Sequence, residues 1–132
     1  MDAGPCMGFK AAGVHAGLKK NGEPDLGLIF SETPAAVAAV FTRNQVQAAP
    51  VVLDRQRVAA GRSRAIIVNS GNANCCTGEA GMRAAARMGA AAARALGLED
   101  EDVLVASTGV IGKPLPVAKI EAAAPTLVEK LT

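Results

Sequence analysis

The chain has 132 residues, and half of them are hydrophobic. This is enough apolar material for a folded core and argues against a disordered tail. Lys and Arg total 14 against 12 Asp and Glu, and the basic residues are scattered along the sequence. Because there is no basic run and the only aromatic residues are three Phe, nucleic acid is a poor candidate partner.

Cysteine usage and the lack of long apolar runs suggest where the protein resides. The three cysteines are Cys6, Cys75 and Cys76, an odd number without a signal peptide, which is typical of reduced thiols in the cytoplasm. The most apolar stretches, 84–86 and 90–93, are bounded by arginines, so no membrane-spanning segment is expected. We therefore expect a cytoplasmic protein, with a loose end at 1–8 and one domain at 9–132.

The first half of the chain is predicted to form short, mostly antiparallel strands. Val14–Lys19 and Asp25–Ser31 flank Asn21-Gly22, a strong hairpin signal. Alternation in the second strand predicts that three apolar side chains share one face, namely Leu26, Leu28 and Phe30. Two further apolar runs, 36–41 and 50–53, are predicted as additional strands.

The second half alternates between strands and helices. A strand is predicted at Ala65–Val68, then a helix at Gly78–Leu96 that ends at Gly97. A strand follows at Val103–Ala106, then helical sequence over 116–131 that Pro125 is expected to break or kink. This alternation is typical of crossover units with parallel strands. The predicted fold class is α/β, a mixed sheet layered with helices.

Two polar segments follow the predicted strands of the second half. The first, 69–78, contains three Asn, one Ser and one Thr, together with two glycines and two cysteines. It is either an Asx turn in which Thr77 caps the helix, or a polar wall that positions a ligand. The second, 107–112, includes Thr108-Gly109, and such a turn can expose consecutive backbone N–H groups as an oxyanion hole. If the strands are parallel, both segments lie at the same edge of the sheet.

Other catalytic arrangements have weaker support. His15 is the only histidine, and a thiol nucleophile at Cys75 or Cys76 paired with it remains an alternative. Two adjacent cysteines and one remote histidine do not provide the ligand spacing of a metal site, so no metal is expected. The segment 71–78 also lacks both the dinucleotide-binding glycine pattern and the P-loop lysine.

Four segments, in this order and spacing, resemble one enzyme family. They are Gly8–Gly13, Ala39–Asn44 with 48–51, Val68–Asn74 with 77–78, and Ala106–Gly112. They are similar to the N-terminal, α-chain portion of the bifunctional ornithine acetyltransferase/glutamate N-acetyltransferase of arginine biosynthesis. The resemblance extends from about Gly8 to the end of the chain. It implies membership of the α/β sandwich fold of that self-cleaving family.

The resemblance also implies a reaction and a site. The family's precursor cleaves itself before a threonine, which then takes acetyl from N-acetylornithine and passes it to glutamate through an acetyl-enzyme. The positions that match its oxyanion hole are Thr108 and Gly109. The Asn-rich segment would support the substrate site, with Asn69 and Asn72 as the favoured residues.

The chain departs from the family pattern after Thr132. The family's α chain continues through a Thr-Thr-Asp-Thr segment and a substrate-contacting lysine to the cleavage site, so the nucleophile is expected on another polypeptide in a hetero-oligomer. No cofactor is expected, although acetyl-CoA is a further acetyl donor if the enzyme is bifunctional. The alternatives are a truncated remnant and a non-catalytic binding or scaffold domain of the same fold.

Overall fold

The computed structural model describes residues 6–132. Its helices and strands, in chain order, are β1 Phe9–Val14, β2 Leu26–Ala36, α1 Ala49–Arg57, β3 Arg62–Asn72, α2 Gly78–Leu96, β4 Val103–Val110 and α3 Val117–Glu129. Short 3₁₀ turns occupy Val58–Ala60 and Asp100–Asp102. Of the predicted loose end at 1–8, residues 1–5 lie outside the described part of the chain.

The four strands form one mixed sheet in the order β1-β2-β3-β4. β1 pairs antiparallel with β2, and β2 pairs antiparallel with β3. β3 and β4 are parallel, because the chain returns through α2 before it enters β4. The predicted mixed α/β architecture is therefore confirmed, including the antiparallel first half and the parallel crossover in the second.

The core lies between one face of the sheet and the helices. Alternate residues of the strands point into it, and their partners come mainly from α2 and α3; the largest of these buried side chains are Leu26, Leu28, Ile67, Val105, Met88, Ile120 and Leu127. Phe30, predicted on the same face as Leu26 and Leu28, is only partly buried there. Because the buried face of α2 is mostly alanine and glycine, the helix can approach both the sheet and α3 closely.

The opposite face of the sheet carries exposed apolar side chains. Phe9, Ile29 and Ile66 are 44%, 46% and 38% exposed, and pairing places Ile29 directly opposite Ile66. They line a shallow cavity together with Ala36, Val37 and Leu104. This outer face thus exposes more contiguous apolar surface than is usual for a protein face in contact with water alone.

The first strand and its turn differ from prediction. β1 occupies Phe9–Val14 rather than Val14–Lys19, and residues 15–25 form a loop. The reason is the buried carboxylate of Asp25, which accepts N–H groups from Ala16, Leu18 and Lys19 that a strand would have used for pairing. Asn21 lies at a bend within this longer loop and Gly22 has φ +75°, but the two residues do not form the predicted hairpin turn.

Two other predicted strands of the first half are wrong. Residues 50–53 belong to α1, which has Pro50 in its first turn, where the missing N–H costs nothing. Of the run 36–41, only Ala36 lies in a strand, the end of β2. Val40 is 99% exposed, so this apolar run has neither a partner strand nor a core to pack against.

The second half agrees more closely with prediction. α2 has the expected bounds, and Gly97 ends it in the left-handed conformation at φ +68°. Pro125 was predicted to break or kink the last helix; it does not break it, since α3 continues through it to Glu129. None of the helices in the described range 6–132 has the length and apolar character to cross a bilayer.

Candidate active site

The carboxyl ends of β3 and β4 bring the two polar segments together. The parallel register pairs Asn69 with Ser107, Ser70 with Thr108, and Gly71 with Gly109. Both strands are longer than predicted, so these residues are strand ends rather than turns. They lie at the same edge of the sheet, where open α/β folds usually bind their ligands.

Gly109 occupies a position that only glycine fits. Its φ is +133°, and a Cβ built there would lie 2.4 Å from the carbonyl carbon of Gly71 and 2.5 Å from the nitrogen of Asn72. Both contacts are with backbone, which cannot move aside as a flexible side chain can. Close approach of β4 to β3 therefore requires glycine at this point, independently of any catalytic role.

Strand alternation gives the direction of the Gly109 N–H. The Val105 N–H and the Val103 carbonyl point away from β3, toward α1, whereas the Val110 carbonyl points toward β3 and accepts the Ala73 N–H. Odd-numbered residues of β4 thus direct their N–H groups to the free edge. Gly109 is exposed there, so its N–H is available to a ligand.

Thr108 is exposed next to this donor. Within the described part of the chain its hydroxyl makes no hydrogen bond, whereas the hydroxyl of the preceding Ser107 donates to Asn69. A free hydroxyl beside an edge-directed N–H is the donor pair that an oxyanion hole requires.

Asn69 and Asn72 lie beneath this edge and are buried. Asn69 is 0% exposed and Asn72 is 7% exposed. The Asn69 side chain accepts from Ser107 at 2.6 Å and donates to the Asn72 carbonyl at 2.9 Å. Asn72 in turn donates to the carbonyls of Lys113 and Pro114. These two amides therefore tie β3 to β4 before Thr108-Gly109 and to the loop that follows β4 after it.

Asn74 continues this network toward α2. It is 1% exposed and adopts φ +48°, a conformation that asparagine tolerates better than most residues. Its N–H donates to Asn72 Oδ1, and its side chain donates to the carbonyl of Gly81. Thr77 takes the N-cap position but makes no capping bond, and its hydroxyl donates to Asn74 instead. The Asx turn of this prediction is present, with Asn72 Oδ1 accepting the Asn74 N–H, but the predicted capping bond from Thr77 is not formed.

Two structurally important carboxylates were not identified from the sequence. Asp25 organises the loop beside Gly71: a Cβ on Gly71 would lie 3.2 Å from the side chain of Lys19, in that loop. Asp54 of α1 accepts the Val105 N–H at 3.0 Å. The only sequence signal for Asp25 was a Pro-Asp pair before a strand, and Asp54 had none.

The structure does not form the alternative site, in which a thiol of Cys75 or Cys76 pairs with His15. The two cysteine sulfurs lie 3.6 Å apart at the start of α2. His15 instead follows β1, where its Nδ1 lies 3.0 Å from the carbonyl oxygen of Glu23 and 3.5 Å from Asp25. A hydrogen bond to the Cys76 sulfur, together with burial, raises the pKa of the Cys75 thiol, which makes it a poorer nucleophile at neutral pH.

Comparison with protein-family models matches residues 10–132 to the ArgJ family. The chain belongs to the ArgJ family. The match covers all seven helices and strands described above except the first residue of β1, and the resemblance inferred from the four sequence segments is confirmed.

Curated ArgJ proteins from several bacteria are similar to this chain. The arginine biosynthesis bifunctional protein ArgJ of Syntrophotalea carbinolica is 54% identical over 125 residues, covering 95% of this chain and 32% of that protein. The corresponding protein of Geobacter sulfurreducens is 52% identical over 124 residues, with 94% and 32% covered. The chain thus spans about a third of the length of these relatives.

Two solved ArgJ structures share the fold. The ornithine acetyltransferase of Mycobacterium tuberculosis, crystallised with ornithine, superposes with a TM-score of 0.93 at 46% identity, covering 96% of this chain and 68% of that one. The Bacillus halodurans ArgJ protein gives a TM-score of 0.86 at 44% identity, covering 90% and 62%. The architecture is therefore that of an ArgJ protein.

Proposed function

We propose that this chain supplies the oxyanion hole of an acetyltransferase that moves acetyl from N-acetylornithine to glutamate in arginine biosynthesis. The observation that carries the proposal is the exposed Thr108 hydroxyl beside the edge-directed N–H of Gly109. Membership of the ArgJ family supports the reaction class, and the ornithine bound to the M. tuberculosis relative supports the substrate class.

The reaction assigns a separate role to each partner. A threonine hydroxyl on the remaining polypeptide attacks the acetyl carbonyl of N-acetylornithine, and Thr108 and Gly109 donate hydrogen bonds to the oxygen as it becomes negative. The C–N bond then breaks, the proton leaves with ornithine, and an acetyl ester remains on the threonine. The amine of glutamate attacks that ester through the same oxyanion, releasing N-acetylglutamate and the free hydroxyl.

A further polypeptide is part of the proposal. This chain corresponds to 32% of the S. carbinolica protein but 68% of the solved M. tuberculosis chain, so that solved chain is shorter than a complete ArgJ sequence. The difference supports a family precursor that is divided in two, with the nucleophile at the start of the second chain. We infer that the two polypeptides form a hetero-oligomer in the cytoplasm.

The proposed chemistry requires neither a metal nor a redox cofactor. Acetyl passes between amines through an ester, and the amino group of an N-terminal threonine can serve as its own base. Asn69 and Asn72 support the site from beneath, through Ser107 and the 113–114 carbonyls, rather than by touching substrate. Use of acetyl-CoA as a second acetyl donor would depend on residues outside this chain.

The test is Thr108→Val in the assembled enzyme. Valine keeps the shape of threonine but has no donor, so turnover should fall about 100-fold while KM changes little, because the lost bond forms mainly in the transition state. Thr108→Ser should restore most of the turnover. The control is Ser70→Ala, which removes the hydroxyl of the residue in register with Thr108 on β3 and should leave turnover nearly unchanged.

Gly109→Ala is less informative, because the added Cβ would clash with the backbone of β3. If Thr108→Val turns over at the wild-type rate, the assignment of Thr108 is wrong. If no acetyl transfer is detected with any assembled partner, the scaffold or remnant alternative is favoured instead.

A further inference from the structure

The adjacent thiols of Cys75 and Cys76 form a reactive pair beside the proposed active site. Their sulfurs lie 3.6 Å apart and share a hydrogen bond. Cys76 is exposed and Cys75 is partly exposed. Cys76 also lines a cavity of about 400 Å³ between α1 and α2, together with Asn74, Thr77 and Met82. Small reagents therefore have a route to the pair.

The pair is positioned to oxidise to a disulfide that is easily reduced again. A disulfide needs sulfurs about 2.0 Å apart and normally joins Cα atoms about 4.4–6.8 Å apart. Adjacent Cα atoms are only about 3.8 Å apart, so the small ring is strained. Strained, exposed disulfides are the labile and regulatory ones. We propose that Cys75 and Cys76 are an oxidation site for hydroperoxides, which closes reversibly to a disulfide between the two residues.

The chemistry balances with the hydroperoxide as oxidant. The thiolate of Cys76, the more exposed residue, attacks the peroxide oxygen, breaking the O–O bond and forming a sulfenic acid with release of water or an alcohol. The Cys75 sulfur then attacks the sulfenic sulfur, forming the S–S bond and releasing water.

Closure would also shift the loop that follows the oxyanion donors. The Cys75 carbonyl accepts the N–H of Gly112 at 2.9 Å, three residues beyond Gly109. Cys76 holds φ at +61°, an uncommon conformation for a residue with a side chain. A ring that draws the sulfurs together must rotate the peptide between them and with it this carbonyl. Oxidation should therefore weaken the bond to Gly112 and lower acetyl transfer. This last effect rests on the proposed function.

The test uses the assembled protein carrying Cys6→Ser, so that the pair holds the only thiols of this chain. After one equivalent of hydrogen peroxide, intact-mass and peptide analysis should show the loss of two hydrogen atoms within the 75–76 peptide, reversed by dithiothreitol. Cys75→Ser should stop at a sulfenic acid on Cys76 that dimedone traps. Independent addition of oxygen to each sulfur, or no reaction, would overturn the proposal.

Two further measurements separate the site from the activity. Hydrogen exchange of the Gly112 amide should become faster on oxidation and return to its original rate on reduction. Unchanged exchange would refute the coupling to the loop. Turnover should fall by up to about 100-fold in the oxidised form and remain unaffected by peroxide in Cys75→Ser. The mass and exchange results do not depend on acetyl transfer, so they remain decisive if the proposed function fails.

Discussion

Asp25 shows how one buried carboxylate can determine a loop. It is 3% exposed, and it accepts backbone N–H groups from Ala16 at 2.6 Å, Leu18 at 2.7 Å and Lys19 at 2.9 Å. Burial raises its pKa, but these three bonds and the nearby His15 outweigh burial and bring the pKa below the ordinary value of 3.8. The charged form is therefore the one that the folded protein stabilises.

Asp25→Asn should destabilise the protein at neutral pH by about 1–3 kcal/mol, because an amide NH₂ replaces one oxygen and leaves buried N–H donors unpaired. A depressed pKa contributes stability above the unfolded value, which is lost as the pH falls through the folded value. The difference between wild type and Asp25→Asn should thus shrink in acid, below pH 3.8.

Urea unfolding of both proteins over a pH series measures this difference. The control is Glu129→Gln, an exposed carboxylate at the end of α3. A gap between wild type and Asp25→Asn that stays constant from neutral pH into acid would show that ionised Asp25 does not hold the loop.

At the scale of elements, α1 takes the place of a fifth strand. β4 is at the edge of the sheet, where unpaired N–H and C=O groups invite aggregation. Asp54 accepts the Val105 N–H, and Arg57 donates to the Val103 carbonyl. Gly89 on α2 leaves room for the Arg57 guanidinium, since a Cβ there would lie 2.6 Å from Nη1 and the side chain would have to shift. Side chains of α1 thus pair with the backbone groups of the β4 edge up to Val105 and leave the edge uncovered at Gly109.

Asp54→Ala should lower turnover of the assembled enzyme more than its stability alone explains, because β4 would be released four residues before Gly109. The matched control is Glu121→Ala, which removes a carboxylate that joins α3 to Arg87 of α2 at 2.6 Å, away from β4. Turnover and KM should be compared at a temperature where both variants are fully folded.

We expect Asp54→Ala to lower kcat and leave KM unchanged. We expect Glu121→Ala to keep a kcat near that of the wild type. Asp54→Asn, which keeps an oxygen acceptor, should recover part of the loss. Equal kcat values in the Asp54→Ala and Glu121→Ala variants would mean that α1 only stabilises the fold.

At the scale of the whole molecule, the helices cover one face of the sheet and leave the other apolar. Phe9, Ile29 and Ile66 remain between a third and a half exposed, and this chain spans about a third of its relatives' length. We propose that the second polypeptide of the proposed enzyme packs on this outer face, because burial of apolar surface is the main driving force of such assembly.

The double substitution Ile29→Lys and Ile66→Lys should therefore prevent co-purification of this chain with the proposed second polypeptide when the two are expressed together, since it places two charges in a buried contact. The control is lysine at Val40 and Val46, which are 99% and 62% exposed but lie outside the sheet. Assembly measured by sedimentation velocity should be lost only in the sheet variant. Loss in both variants, or in neither, would place the interface elsewhere.

The sequence by itself determined the features that depend on local pattern. The bounds of α2 and its C-cap glycine were predicted to the residue, because a helical period of apolar residues and a left-handed C-cap depend only on residues close together in the sequence. The β3-α2-β4 crossover followed from the alternation of elements, and the family from four segments in fixed order. Thr108 and Gly109 were selected because small, polar residues follow a buried strand.

Only the tertiary structure decided features that depend on distant partners. Residues 50–53 are as β-branched as many strands, but they form a helix because Asp54 and Arg57 reach β4 about 50 residues later. The sequence predicts Asn69 as a support of the substrate site, but only the structure shows that it is buried and that it accepts a hydrogen bond from Ser107 across the sheet. The length of β1 depended on a carboxylate that follows it in sequence. In each case the deciding hydrogen bond joins residues that sequence patterns cannot show to be neighbours.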